Sequence, residues 1–152
     1  MRILLSITIL LSITICTALA QRTTYYTEPT AQYKLGLELF NKEKYGQAQK
    51  IFSAVQALPN VAYTTTINNA KYYEALCAYE LFNNDAELLL TNYIKNNDKS
   101  AQVTNASFCL ANLYYRKKRY KEALPYFDKL LPTDVPQEQL PDYYFKKGYR
   151  SK

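Results

Sequence analysis

The sequence predicts an all-α fold, an α-solenoid of stacked antiparallel helix pairs, on three observations. Beyond Ala31 the chain consists mostly of helix formers, and the whole sequence of 152 residues holds only 3 glycines. Breaks fall at Leu58-Pro59-Asn60, at Asn96-Asn97-Asp98 and between Pro132 and Pro136, where Pro and Asn interrupt a helical ladder. The third observation is repetition. Leu35-Gly36 is followed by Tyr45, Ala48 and Phe52, and Leu110-Ala111 by Tyr120, Ala123 and Phe127. Counted from the small residue, the offsets are nine, twelve and sixteen in both copies. Spacings of three and four mark one face of a helix, and agreement at five positions marks an internal repeat.

In chain order, residues 1–20 carry Arg2 and then an uncharged run, ILLSITILLSITICTALA, ending in Ala18-Leu19-Ala20 before Gln21. A basic start, an apolar middle and a small-x-small end predict a cleaved signal peptide. A retained membrane anchor is the alternative, disfavoured by the interrupting Ser and Thr and by the lack of a positive stop signal just after the run, where Arg22 stands as a single charge. Lipidation at Cys16 is a weaker one, since Ile15 stands where a small residue belongs. Residues 21–30, QRTTYYTEPT, are polar and predict an extended leader. Residues 31–152 then form the array, about three helix pairs plus the first helix of a fourth. First helices are expected near 30–42, 65–82, 101–117 and from 140 onward, and second helices near 45–58, 85–95 and 119–131.

A degenerate middle copy lies between the two clear ones. Ala75 takes its small position, and Ala86, Leu90 and Tyr93 follow at offsets eleven, fifteen and eighteen, one residue short of the other copies. Gly148, 37 beyond Ala111, suggests the small position of a fourth copy. Gly36 costs about 1 kcal/mol of helix propensity relative to Ala, so a close helix crossing must offset it. Leu35, Gly36 and Leu39 are expected to face Ala48, Ile51, Phe52 and Val55, with Phe52 and Phe127 filling the space between units. Pro125 falls early in the third second-helix, where a mild bend is expected. No helix pair buries both its apolar faces alone, whereas stacked pairs do.

The stretches YKLGLELFNKEKYGQAQKIFSAV (33–55) and FCLANLYYRKKRYKEALPYFDKL (108–130) resemble the tetratricopeptide repeat family. They share its Leu-Gly or Leu-Ala pair, its aromatic, its Ala and its final Phe. The resemblance covers most of residues 31–152 and implies a right-handed superhelix. The family's aromatic early in each first helix is not clear here, and its inter-unit proline is displaced to Pro59 and Pro136. The chain as a whole looks like the exported N-terminal part of a longer periplasmic repeat protein of Bacteroidetes-type bacteria.

In such arrays the first helices line a concave face. The resemblance places partner-binding positions at Tyr33, Leu37 and Phe40 in copy one. In copy two they are Tyr72, Leu76 and Tyr79, with Glu80 beside them. Copy three supplies Phe108, Asn112 and Tyr115 with Arg116 adjacent, and Phe145 and Tyr149 continue the row. Within each copy these residues lie four and seven or eight apart, one stripe per helix. Rings with hydroxyl groups suit a peptide or protein partner; the same rings would equally serve packing between first helices. The family's Lys and Asn clamp for a terminal carboxylate is matched only at Asn112, which argues against that ligand.

Other classes find little support. Histidine is absent, which removes the commonest general base and metal ligand, and neither C-x-x-C nor a Gly-rich phosphate loop occurs. No cofactor, metal or catalytic residue is expected. Glu38, Glu43, Glu74, Glu80 and Glu87 are dispersed among Lys neighbours as surface carboxylates are. Cys77 and Cys109 are expected as buried free thiols, with a disulfide as the alternative in an oxidising compartment. The net charge of +6, of which Arg2 supplies one, does not indicate nucleic acid. Arg116, Lys117, Lys118, Arg119 and Lys121 form the one basic cluster, expected as a solvated turn or else a site for an anionic partner. The expected function is therefore a non-catalytic interaction scaffold in the periplasm or cell envelope, without a transmembrane segment after signal cleavage and as part of an envelope complex. The alternatives are a structural spacer without a groove ligand and an accessory segment of a glycan-processing enzyme.

Overall fold

A computed structural model describes residues 28–58, 61–97 and 101–148. The expected signal peptide, most of the leader, Pro59 and Tyr149 lie outside them. Seven α-helices follow one another among the described residues: α1 (Pro29–Asn41), α2 (Tyr45–Gln56), α3 (Thr64–Glu80), α4 (Ala86–Asn96), α5 (Ala101–Arg116), α6 (Tyr120–Lys129) and α7 (Leu140–Gly148). No strand occurs among these residues. Short 3-10 turns at Val61–Tyr63, Pro132–Asp134 and Gln137–Gln139 make the connections. Helix limits fall within two residues of most of those expected from the sequence. The first helix starts at Pro29, inside the expected leader, because proline at N1 has no N–H to leave unpaired.

Each helix packs on the next, and α3 also touches α1 and α5. The result is a solenoid of successive antiparallel helix pairs, with α7 packed on α6. The core follows the repeat. Ala48, Phe52 and Val55 on α2, Ala86, Leu90 and Tyr93 on α4, and Ala123, Phe127 and Leu130 at and beyond α6 are all buried. The degenerate middle copy therefore packs through the residues its offsets indicated. Gly36 explains itself: a Cβ there would meet Phe52 ring carbons at 2.6 and 2.9 Å. The Phe52 ring lies 5.9 Å from Tyr33 and stacks at 5.4 Å on Tyr73 of the next pair. It thereby fills the space between units as expected. Phe127 does the same between Phe108 at 6.4 Å and Tyr143 at 6.1 Å.

Gly148 has open space around it, and Tyr143 is the buried side chain of α7. One expectation is corrected. Leu35 is exposed, because Gly36 turns toward α2 and its neighbour, about 100° away around a helix, points off that contact. Pro125 lies inside α6, which continues through it. Cys77 and Cys109 are both buried free thiols.

The three turns within pairs are built alike. Glu43, Phe82 and Lys118 have φ of 57, 57 and 60°, each seven residues beyond its small position. In each turn this residue's N–H bonds back to Phe40, Tyr79 or Tyr115, and the next N–H reaches Leu39, Ala78 or Tyr114, at 2.9–3.2 Å. These paired bonds form a Schellman motif, whose left-handed residue is usually glycine. The missing residue of the middle copy is lost after this point, between Asn83 and Ala86. Lys118→Gly is expected to raise the melting temperature by a few degrees, since relieving the left-handed strain is worth about 1 kcal/mol. Calorimetry checks it, and an unchanged or lowered midpoint refutes the strain argument.

Candidate partner-binding cleft

The interior helices of a solenoid are covered on several sides, which decides where the expected residues go. On α3 the run Ala75 to Ala78 is buried, and on α5 every residue from Phe108 to Tyr114 is buried. Tyr72, Leu76, Phe108 and Asn112 accordingly have their bodies in the core. Tyr33, Leu37, Phe40, Tyr79 and Tyr115 are half-buried, and Arg116 is exposed.

A cleft of about 510 Å³ opens along the first helices. It brings together Phe40, Tyr72, Leu76, Tyr79, Phe108 and Arg116 of the expected set. Tyr33 and Leu37 instead pack on the core beneath α1 and α2. Asn112 is engaged internally: its Oδ1 accepts from Lys146 Nζ at 2.9 Å. Lys146 also lies 5.3 Å from the Tyr115 ring centre and pairs with Asp142.

The cleft also holds residues outside the expected row. Tyr73 forms its floor, in ring contact with Tyr33, Phe40, Phe52 and Tyr72 at 5.0–6.1 Å. Asn105 Nδ2 donates to the Tyr72 hydroxyl at 2.9 Å, orienting that ring. Cys109 joins the wall, while Pro136 and Gln139 reach in from the connection before α7. Only Tyr73 left a trace in the sequence, as the second ring of a Tyr-Tyr pair.

Charge divides the rim. Glu80 stands near Arg116, and burial, helped by the neighbouring Glu43 carboxylate, raises its pKa against the pull of that guanidinium. Burial pushes the Tyr79 hydroxyl and the Cys109 thiol up to about 12. Both keep their protons at neutral pH, so neither offers the anion that nucleophilic attack requires.

No protein-family model, curated protein or solved structure matches the chain. The fold alone carries the comparison: an all-helical arrangement of paired antiparallel helices, like tetratricopeptide arrays in general form.

Around this cleft the basic cluster splits by role. Glu87 accepts from Lys117 Nζ at 2.9 Å and from Arg119 at 2.7 and 2.8 Å, and Arg119 also donates to Glu122. The Glu87 carboxyl is held below its usual range, chiefly by the Lys117 hydrogen bond and then by Arg119, against partial burial. These two cations tie the third turn to α4. Arg116 stays on the cleft side. Among the described residues no group of three His, Cys, Asp or Glu side chains could hold a metal ion. No helix among them is long and apolar enough to cross a membrane.

Proposed function

We propose that this chain is a non-catalytic interaction module of the cell envelope, whose cleft binds a peptide or a segment of a partner protein. One observation carries the reading. Phe40, Tyr73 and Tyr79, from two successive first helices, share one open cleft with a cation and a carboxylate at its rim. Its volume of about 510 Å³ lies in the range of about 300–1,000 Å³ common to ligand sites. Half-exposed rings of this kind gain most from being covered by a partner. The composition of residues 1–20 supports export, which a mature N-terminus at Gln21 in an expressing bacterium would test.

The experiment is selection of peptides from a displayed random library, followed by affinity measurement on Tyr79→Ala and Phe40→Ala. Each variant is expected to weaken the selected peptides at least tenfold, about 1.4 kcal/mol, with helicity unchanged. Peptides that bind both variants as well as the parent would overturn the reading, as would failure to select any. The spacer reading takes its place in that event. It is favoured by the use of Tyr72, Leu76, Phe108 and Asn112 in packing.

A further inference from the structure

Arg116 differs from the other cations of its turn. Its guanidinium lies 4.5 Å from the Tyr79 ring centre and 4.3 Å from that of Phe82, so two aromatic side chains hold one planar cation. Among the described residues it makes no ion pair within 4 Å, whereas Arg119 spends its donors on Glu87 and Glu122. Ring contact engages the face of a guanidinium and not its N–H edge, and that edge matches a carboxylate in a two-pronged hydrogen bond. Holding the fork in place beforehand removes part of the ordering cost of binding.

The second ring is placed at a cost. Phe82 is 70 % exposed and its φ is 57°, a region a bulky side chain rarely adopts. Neither burial nor backbone preference accounts for Phe at this position. Its contact with Arg116 does.

We propose that Arg116, clamped by Tyr79 and Phe82, is a specificity anchor for an aspartate or glutamate side chain within the bound segment, seated beside the aromatic floor of the cleft. The inference rests on the peptide-binding reading above and names its ligand chemistry. A side-chain carboxylate fits better than a chain terminus, because the nearby groups that would complete a terminal grip are taken. Asn112 accepts from Lys146, and Lys146 pairs with Asp142. Glu80 sits on the α3 side of Arg116, so the incoming carboxylate approaches from the other edge.

The probe is an array of random octapeptides, acetylated and amidated so that no terminal charge is present, applied to the full chain. Binders are expected to carry Asp or Glu at one fixed position next to an aromatic. Arg116→Gln should weaken them at least tenfold, and Arg116→Lys by a few-fold, since the charge remains but the flat stacked fork is lost. Replacing the peptide's Glu by Gln should cost the parent protein as much, and Arg116→Gln nothing further. Phe82→Gly separates anchoring from folding: stability should hold or rise as backbone strain is relieved, while affinity falls about threefold or more. Glu80→Gln should tighten acidic peptides about twofold. If binders depend on Tyr79 but show no acidic position, or ignore Arg116→Gln, the anchor is refuted and the cleft reading stands. Binding only of free-acid peptides refutes the side-chain ligand. Absence of any Tyr79-dependent binder overturns both.

Discussion

Phe52→Ala is expected to lower stability by about 3–5 kcal/mol, the cost of emptying a fully buried aromatic site, and Gly36→Ala is expected to repair part of that loss. In the parent protein Gly36→Ala is itself unfavourable. Alanine gains about 1 kcal/mol of helix propensity, but its methyl would stand 2.6 Å from the Phe52 ring. That ring cannot yield easily, being 0 % exposed and enclosed by Tyr33 and Tyr73. Overpacking of about 1–3 kcal/mol therefore outweighs the propensity gain. Once Phe52 is removed the clash disappears, the methyl enters the vacated space and the propensity term survives. The double variant should then be more stable than Phe52→Ala alone, a coupling of at least about 1 kcal/mol between residues sixteen apart in sequence. Urea unfolding of the four proteins measures it through their midpoints. Additive losses would show that Gly36 is not there to admit the ring.

That pair also shows what was legible in the sequence. A glycine inside a helix demands a close contact, and a Phe at a fixed offset in two copies names the partner. The buried pairs Ala48 and Phe52 on α2 and Ala123 and Phe127 on α6 followed from the same counting, as did Ala86, Leu90 and Tyr93 on α4 in the copy that had lost its leading aromatic. The binding stripe was harder to place. A stripe is readable where one face is covered and the other solvated, but α3 has α1, α2, α4 and α5 around it. Its residues from Ala75 to Ala78 are buried in succession, so spacing alone does not separate lining from core. Tyr72 and Phe108 for this reason both bury their bodies in the core and line the cleft, and Tyr73, one residue off the expected row, lines it beside them. The Arg116 clamp was hidden for another reason. It depends on left-handed backbone at Phe82, where no glycine announces the turn. Pro136 and Gln139 enter the cleft through a connection that has no period to read.

Tyr143→Ala is expected to release α7 from the array while leaving the three pairs folded. Among the described residues this helix spans 9 residues, too few to persist undocked in water, and Tyr143 is its one buried side chain. The Tyr143 ring is 0 % exposed against Phe127. Its hydroxyl donates to the Leu130 carbonyl at 2.8 Å and accepts from Lys147 Nζ at the same distance. Losing a buried aromatic costs about 3–5 kcal/mol where the structure must bear the whole loss. Here a cheaper route exists: α7 can undock with residues 131–139, so the global midpoint falls by less than that and the damage appears locally. Amide exchange in α7 should quicken by at least a hundredfold relative to α5, and protease cleavage in residues 131–139 should rise. Tyr143→Phe keeps the ring and removes the hydroxyl, for a loss of about 1 kcal/mol with α7 still docked. Undocking also withdraws Lys146 from Asn112 and the Tyr115 ring, and it moves Pro136 and Gln139, which line the cleft. Tyr143→Ala should therefore change which peptides the cleft selects as well as how firmly α7 is held. If α7 stays as protected as α5 in that variant, its docking does not depend on Tyr143, and the link between α7 and the composition of the cleft fails with it.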